Sequence, residues 1–312
     1  MSDIRRLNIA LLQLKNRIHK EEGSFDEAEQ MLQTLDGQNI DFAFLPELLP
    51  RGYAANEISW RYKERLTGPT VQWAKSMAIR YGMHIGFGLI EHTGKHVYNT
   101  YAIVDPEGTL LGFVRKQFAE SYVFKPEKGP KFIDTSLGRI GIGICADSHQ
   151  KKVFKQIAQA NVDVVVLPHA WPVASVENKI ISRQDIEDAR ALLTSYPLVY
   201  PRYLHIPALF INTVGDMQTM KGLLGKFITP DAFSFQGMST ICDQNRNFIG
   251  QLDHQEGILT GTIVIQRPTI KWEMPKTYQK GWLHQGSTII RHVIMPLDGL
   301  LGRLNYALRK KK

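Results

Sequence analysis

The sequence predicts a mixed α/β fold in which two β-sheets pack face to face and helices cover their outer surfaces, a four-layer α-β-β-α sandwich. Segments with the period-two pattern of strands alternate along the chain with segments that have the 3.6-residue pattern of helices. The strands are too numerous for one small sheet, and the helices are too numerous for an all-β fold. One segment, residues 162–171 (VDVVVLPHAW), is almost continuously apolar, which is typical of a strand buried on both faces.

In the first half of the chain, turn and capping residues indicate where the elements end. Ser24, with Glu27 three residues later, predicts a helix start stabilised by a capping box. Pro46 stops the second strand, and Gly82 ends the second helix. The predicted elements are strand 7–14, helix 24–35, strand 41–47, helix 71–82, strand 84–91 and a hairpin over 97–116 that turns at 105–108 (DPEG).

The second half opens with a strand whose two faces differ. In residues 138–145 (GRIGIGIC), isoleucines alternate with glycines and finally Cys145, so one face is β-branched and the other is nearly bare. A helix or another backbone can come close to the bare face. The elements expected after it are helix 151–160, strand 162–171, a helix near 183–193, strand 206–215, a hairpin over 238–252 and strand 257–266.

Cys145 lies where this strand meets the following helix, and its position allows two interpretations. A lone cysteine on a strand is commonly a small buried apolar residue. A thiol near a helix N-terminus, however, meets a partial positive charge that favours the thiolate, which is how a protein presents a cysteine nucleophile. Two further segments favour the nucleophile.

Three segments, in order and at suitable spacing, together resemble the nitrilase superfamily of carbon–nitrogen hydrolases. They are 45–53 (LPELLPRGY) with its strand-ending Pro-Glu, 112–116 (GFVRK) ending in Arg-Lys, and 138–147 (GRIGIGICAD) carrying the cysteine. Supporting resemblances lie at 98–100 (YNT), 105–108 (DPEG), 163–168 (DVVVLP), 212–215 (NTVG) and 235–241 (FQGMSTI). Each motif alone is weak, whereas the ordered set is strong. The resemblance implies the α-β-β-α sandwich of this family.

The resemblance covers most of the chain and divides it in two. We expect a C–N hydrolase domain over residues 1–266 and a C-terminal extension over 267–312. Near its end, leucines lie among basic residues, a pattern that also fits an amphipathic membrane-surface segment. We favour a packing arm or an oligomer contact over a membrane surface, because C-terminal segments of the family cross a dimer interface. The resemblance thus implies a homodimer or a larger homo-oligomer.

The resemblance implies a catalytic Cys-Glu-Lys triad made of Cys145, Glu47 and Lys116. The chemistry of C–N bond hydrolysis explains why these residue types are needed. A thiol is mostly protonated at neutral pH, so Cys145 needs a base, and Glu47 at its strand end is the candidate. Burial beside the thiol should raise the pKa of Glu47. Lys116 and the backbone N–H of Ala146 would stabilise the oxyanion of a tetrahedral intermediate.

The implied activity is cleavage of a non-peptide C–N bond through a cysteine thioester, with release of ammonia or an amine. Nitrile-cleaving relatives typically have Trp and Glu after the cysteine, whereas this chain has Ala146 and Asp147. That difference favours a small-molecule amide or an N-carbamoyl compound as substrate. Two alternatives stay open: an acyltransferase that passes the thioester to an amine, and a catalytically silent scaffold or binding protein of the same fold.

The resemblance and the sequence offer further site candidates. The family often has a second glutamate after the lysine, and Glu120 matches it, but the intervening loop is shorter than usual, so Glu127 is the fallback. Tyr53, His169 and Trp171 are candidate substrate contacts. An insertion at 196–203 is either a lid or a dimer contact, and Cys242 is interpreted as packing.

Composition excludes several other classes of protein. The net charge of +8 invites a nucleic-acid interpretation, but the basic residues are scattered, without interleaved aromatic residues, so no nucleic-acid partner is expected. A solvated basic surface suited to anionic substrates is the preferred interpretation. Histidine spacing indicates no metal site, no glycine-rich phosphate loop is present, and we expect no cofactor. Two cysteines make no disulfide framework, and a cytoplasmic location is expected.

Overall fold

Two six-stranded sheets lie face to face in the computed structural model of the chain, which describes residues 4–178, 181–266, 271–278, 281–283 and 289–309. The strands are β1 Arg5–Gln13, β2 Phe42–Phe44, β3 His84–His92, β4 Val97–Val104, β5 Leu110–Arg115, β6 Phe132–Thr135, β7 Gly138–Ile142, β8 Val164–His169, β9 Pro172–Ala174, β10 Ala208–Asn212, β11 Val214–Asp216, β12 Phe233–Gln236, β13 Thr240–Cys242, β14 Phe248–Gln251 and β15 Gly257–Ile265. The helices are α1 Phe25–Thr34, α2 Ile58–Arg61, α3 Pro69–Tyr81, α4 Lys151–Gln159, α5 Arg183–Ser195, α6 Val199–Leu204 and α7 Met295–Arg309.

The strand order shows that the two sheets have the same design. One sheet has the order β15-β1-β2-β3-β4-β5, and the other has the order β14-β13-β10-β8-β7-β6. In each sheet the central strands pair in parallel and the outer strands pair antiparallel. A third, three-stranded sheet has the order β11-β12-β9.

The alternation of side chains along β1 explains the layers. Leu7 and Ile9 pack in the apolar core between the two large sheets. The alternate residues Ala10 and Leu12 belong to a second core, which α1 and α3 cover. On the far side of the second sheet, α4 packs against β8 in another core. The predicted α-β-β-α sandwich is therefore confirmed.

The bare face next to Cys145 allows the close packing that the sequence predicts. A Cβ on Gly141 would lie 3.2 Å from a methyl group of Ile157 in α4. A Cβ on Gly143 would lie 2.8 Å from the Cβ of Ser148. Larger side chains at these positions would displace both the helix and the segment that carries the thiol.

The structure corrects one local prediction, the capping box at α1. Ser24 precedes α1, but its hydroxyl donates to the carbonyl of Lys15 at 2.8 Å and makes no hydrogen bond to the helix. Because Ser24 is fully buried, a tertiary partner satisfies its hydroxyl instead of the helix terminus. A capping box is present at α5, between Ser182 and Asp185, where none was expected.

The insertion at 196–203 forms a 3₁₀ turn, Tyr196–Leu198, followed by α6. Tyr196 and Tyr200 are fully buried in the core on the α4 side of the second sheet. Tyr196 stacks on His149 with ring centroids 4.2 Å apart. Tyr196 and Tyr200 therefore support the wall behind His149 and do not form a lid, because they lie inside the core.

The described parts of the C-terminal extension pack on the domain. The Leu283 N–H donates to the carbonyl of His149 at 2.9 Å, and the Val97 N–H donates to the Tyr306 hydroxyl at 3.0 Å. The outward side of α7 carries exposed apolar residues, namely Leu297, Leu300, Leu301, Leu304 and Leu308. The expected homo-oligomer stays a prediction, which sedimentation of the purified protein would measure.

No helix in the described part of the chain combines the length and the apolar character needed to cross a bilayer.

Candidate active site

Glu47 follows β2 at the edge where the parallel strands end. The next residue, Leu48, has a left-handed backbone with φ of 57°, which turns the chain away from the sheet directly after the carboxylate. Gly88 of β3 makes room for this turn, because a Cβ there would lie 2.1 Å from the Leu48 nitrogen. The conformation places Glu47 in the interior, with no exposed surface.

Three donors hold the buried carboxylate of Glu47. Its Oε1 accepts from Lys116 Nζ at 2.6 Å and from Asn99 Nδ2 at 2.7 Å. Its Oε2 accepts from the backbone N–H of Ala170 at 3.0 Å. Both oxygens are therefore oriented by neighbours on three different segments.

Lys116 follows β5 and is itself completely buried. Its ammonium lies between two carboxylates, since it also donates to Glu120 Oε1 at 2.7 Å. The short loop therefore does bring Glu120 to the lysine. Glu127, the fallback, instead accepts from Arg115 at 2.8 Å.

Cys145 is the first residue of a 3₁₀ turn, Cys145–Asp147, directly after the strand β7. Its φ of 44° is left-handed, a conformation that is strained for a non-glycine residue and is common at functional sites. Helix α4 begins only at Lys151, so the thiol does not lie at the N-terminus of that helix. The expected thiolate-stabilising helix terminus is absent from this position.

The charges around the thiol are two carboxylates and one ammonium. Burial and the carboxylate of Glu47 raise the pKa of the Cys145 thiol well above its ordinary value, although Lys116 and the Ala170 N–H act in the opposite direction. This environment therefore does not favour the thiolate that a helix N-terminus would have favoured. The resting thiol is protonated and needs a base.

The same environment changes the pKa of both partners. Burial raises the pKa of Glu47, as the sequence predicted, and this outweighs the lowering by Lys116. Burial alone would lower the pKa of Lys116, but Glu120 and Glu47 raise it well above its ordinary value. Lys116 is thus a permanent cation at neutral pH. The raised pKa of Glu47 lies closer to neutral pH than that of an ordinary glutamate, which suits this carboxylate to take up and release a proton.

A second buried ion pair joins the nucleophile segment to the segment after β5. Asp147 accepts from Lys131 Nζ at 2.8 Å, and both side chains are fully buried. The same carboxylate accepts from the backbone N–H groups of Gln117, at 2.9 Å, and Phe118, at 2.6 Å. Asp147 therefore holds the turn of Cys145 against the residues that follow Lys116.

We expect Asp147→Asn to lower the free energy of unfolding by about 3–5 kcal/mol, because Lys131 would remain as a buried cation without its anion. Urea denaturation followed by circular dichroism measures this change. Glu29→Gln is the matched control, since the Arg80–Glu29 pair lies on the surface and is worth about 0–1 kcal/mol. Equal losses in the two variants would contradict the expectation.

A cavity of about 270 Å³ opens beside Cys145. Tyr53, Glu120, Ala146 and Trp171, all of them sequence candidates, contribute to its wall. The Tyr53 hydroxyl donates to Glu120 Oε1 at 2.9 Å, which fixes this carboxylate beside Lys116. The other oxygen of Glu120, Oε2, is buried and has no hydrogen-bond partner among the described residues.

His169 occupies a different place from the one expected. It lies behind His149, and His149 forms the cavity wall in its stead. Burial lowers the pKa of His169 to about 3, and its Nδ1 donates to the Leu167 carbonyl at 2.9 Å. Its Nε2 is therefore an acceptor, and His149 Nε2 donates to it at 3.3 Å. This leaves Nδ1 of His149 as a buried acceptor without a protein partner in the described chain.

Sequence reasoning missed two residues that position the triad. Asn99 orients Glu47, and its signal was present in the 98–100 motif (YNT). Lys131 lies in none of the recognised motifs. Its role depends on the contact with Asp147, which is 16 residues away in the sequence. Within the described ranges, His, Cys, Asp and Glu side chains form no group of three that could hold a metal ion.

Comparisons with known proteins show the family of the chain. The sequence model for carbon-nitrogen hydrolases matches residues 8–269. The nitrilase of Pyrococcus abyssi is 25% identical over 56% of this chain and 72% of that protein. Omega-amidase NIT2 of Homo sapiens is 27% identical over 52% of this chain and 63% of its own length. N-carbamoylputrescine amidase of Solanum tuberosum is 26% identical over 46% and 52%. The chain thus matches only part of the length of these relatives.

Solved structures extend the likeness to the fold. A carbon-nitrogen hydrolase of Helicobacter pylori G27 superposes with a TM-score of 0.71, at 18% identity over 83% of this chain and 89% of that one. An amidase of Nesterenkonia sp. superposes with a TM-score of 0.59, at 17% identity over 84% and 90%. Because the family match covers most of the chain, the protein belongs to the carbon-nitrogen hydrolases of the nitrilase superfamily and is an enzyme that acts on non-peptide C–N bonds.

Proposed function

We propose that the enzyme hydrolyses a small-molecule amide or N-carbamoyl compound through a thioester on Cys145. The observation that carries this proposal is the contact of Glu47 with Lys116 at 2.6 Å beside a protonated thiol at the cavity wall. A base, a cation and a nucleophile then face one bound carbonyl. The amidase names of several relatives support an amide or carbamoyl substrate.

In the first half-reaction, Glu47 takes the thiol proton as the sulfur of Cys145 attacks the carbonyl carbon. The carbonyl oxygen becomes an oxyanion, which Lys116 and the Ala146 N–H stabilise. Each such donor contributes about 2.7–4 kcal/mol to lowering the barrier. The C–N bond then breaks, Glu47 returns the proton to the nitrogen, and ammonia or an amine leaves a thioester on Cys145.

In the second half-reaction, Glu47 takes a proton from water as the water oxygen attacks the thioester. The C–S bond breaks, the proton returns to the sulfur, and the carboxylic acid leaves. The sum is amide plus water to acid plus amine, with Cys145, Glu47 and Lys116 unchanged. Glu120 holds Lys116 in place through the hydrogen bond from Lys116 Nζ to its Oε1 at 2.7 Å.

The test is a panel of primary amides, N-carbamoyl compounds and nitriles given to the purified protein. We expect ammonia from amides or carbamoyl compounds and, by mass spectrometry of peptides, an acyl adduct on Cys145. Absence of both from every compound would overturn the proposal. Adding hydroxylamine tests the alternative of acyl transfer. A transferase forms the hydroxamate when hydroxylamine is present and forms almost no carboxylic acid when hydroxylamine is absent.

The pH dependence of kcat/KM gives a further prediction. Glu47 must be ionised to act as a base, so activity falls as the pH drops through its raised pKa. The charge of Glu120 contributes to that raised value, and so Glu120→Gln should move the acidic limb of the profile to lower pH. Measured profiles of the two proteins check this, and a shift to higher pH would contradict it.

A further inference from the structure

The cavity is polar around Cys145 and apolar over most of the rest of its wall. Near the thiol, Glu120 and His149 line the wall, and each has a buried polar atom without a hydrogen-bond partner among the described residues. Elsewhere the wall consists largely of apolar side chains, including Ile181, Ile186, Met220, Leu224, Ile228 and Met295. A ligand that fills this space therefore has a polar head and a tail in contact with hydrocarbon.

The charged side chains of this apolar part are already paired. Asp185 accepts from Ser182 in the capping box of α5, and Lys221 pairs with Glu57. Asp298 accepts from the Leu224 N–H at 2.9 Å. Among the described lining residues, these three are the charged groups beyond Glu120, and the one cation among them, Lys221, is already paired, so no cation is left to neutralise an anionic tail. An unpaired charge buried here would be costly.

The apolar wall is partly built by residues outside the family match, which ends at residue 269. Met295 and Gly299 of α7 line the cavity, as does Trp282. Positions 295 and 299 lie on one face of the helix, one turn apart. The C-terminal extension therefore supplies a wall that belongs to this chain and is not implied by the family motifs.

We propose that this part of the cavity is a subsite for an uncharged, apolar acyl chain, so that the substrate is a medium-chain primary amide. The proposal rests on the proposed hydrolase function and names its substrate class. A cavity of about 270 Å³ has room for roughly nine groups the size of a water molecule or methylene, at ~30 Å³ each. A primary amide of about seven carbons, with its oxygen and nitrogen, fills roughly this volume.

The test is a series of straight-chain primary amides of two, four and six carbons. We expect kcat/KM to rise about fourfold per added methylene. The six-carbon amide with a carboxylate at its other end should be slower than hexanamide by at least about 10²-fold. Equal or faster cleavage of the carboxylate compound, or no gain with chain length, would overturn the subsite.

A binding measurement separates this failure from a failure of the hydrolase proposal. With Cys145→Ala, calorimetric Kd values for the same amides should fall about fourfold per methylene, whether or not the wild type turns them over. If the Kd falls with the length of the amide chain but the wild type turns over none of the amides, only the hydrolase proposal is contradicted. If the wild type turns over acetamide but the Kd does not fall with chain length, only the subsite proposal is contradicted.

A variant of the C-terminal helix tests its part in the wall. Met295→Gln keeps the length of the side chain but adds a polar amide, so kcat/KM for hexanamide should fall about tenfold more than that for acetamide. Leu301→Gln is the matched control, because Leu301 is 41% exposed on the same helix. Equal effects of Met295→Gln on both amides would contradict a role in chain binding.

Discussion

Cys145→Ala is expected to lower kcat for amide hydrolysis by about 10⁴-fold or more, because the nucleophile and its base act as one unit. The chain offers an internal control, since Cys242 is its second cysteine and is fully buried in β13. Cys242→Ala should keep kcat within a few-fold of the wild type. Steady-state ammonia release measures both variants.

The covalent chemistry gives an independent readout of the same substitution. An acyl adduct should form on the peptide that contains Cys145 in the wild type and in Cys242→Ala, and be absent from Cys145→Ala. If Cys145→Ala kept more than about a tenth of wild-type turnover, a water-only mechanism would have to replace the thioester. An adduct on Cys242 would likewise exclude the proposed nucleophile.

Lys116→Met should cause the second large effect, a combined loss of activity and stability. The substitution removes the cation from between Glu47 and Glu120 and leaves two carboxylates facing each other in the interior. We expect the free energy of unfolding to fall by about 3–5 kcal/mol and kcat to fall by about 10²–10³-fold. Denaturant titration and ammonia release measure the two losses.

The pH dependence of this loss has a defined sign. Without Lys116, which lowers the pKa of Glu47, that pKa rises further, and the native state then binds more protons than the unfolded state. Stability of the variant should therefore fall as the pH rises through this pKa, so its deficit is larger at pH 8 than at pH 5.

A double variant distinguishes the two roles of the cation. Lys116→Met with Glu120→Gln removes one of the facing charges and should recover much of the stability, while activity stays lost because no cation faces the oxyanion. Recovery of activity together with stability would show that Lys116 is only a structural partner of the carboxylates.

Much of the fold follows from local pattern. The alternation in β1 and the isoleucines of β7 assign each side chain to a face, because a strand has a strict period of two. The short strands β6, β9 and β12 were not predicted, since three or four residues carry too little pattern. Ser24 shows the opposite case. The sequence around it strongly predicts a helix cap, but its hydroxyl makes a buried hydrogen bond to the Lys15 carbonyl instead.

The candidate site also contains residues that the sequence identified and residues whose positions only the folded structure shows. Glu47, Lys116 and Cys145 were identified because each stands at the end of a strand within a recognisable motif. The reach of Glu120 was not predictable, because loop length alone does not tell where a side chain points. His169 was misplaced for a related reason: its position after β8 is visible in the sequence, but the depth at which His149 covers it is not.

By itself, the sequence determined the sandwich, the order of the three reactive residues and the kind of bond that the enzyme cleaves. These depend on short-range periodicity and on motifs read along one segment at a time. The tertiary structure decided that burial and Glu47 raise the pKa of the Cys145 thiol well above its ordinary value, that Asp147 pairs with Lys131, and that the C-terminal helix lines the cavity. Burial and the summed field of distant charges decide such properties, and both exist only once the chain has folded.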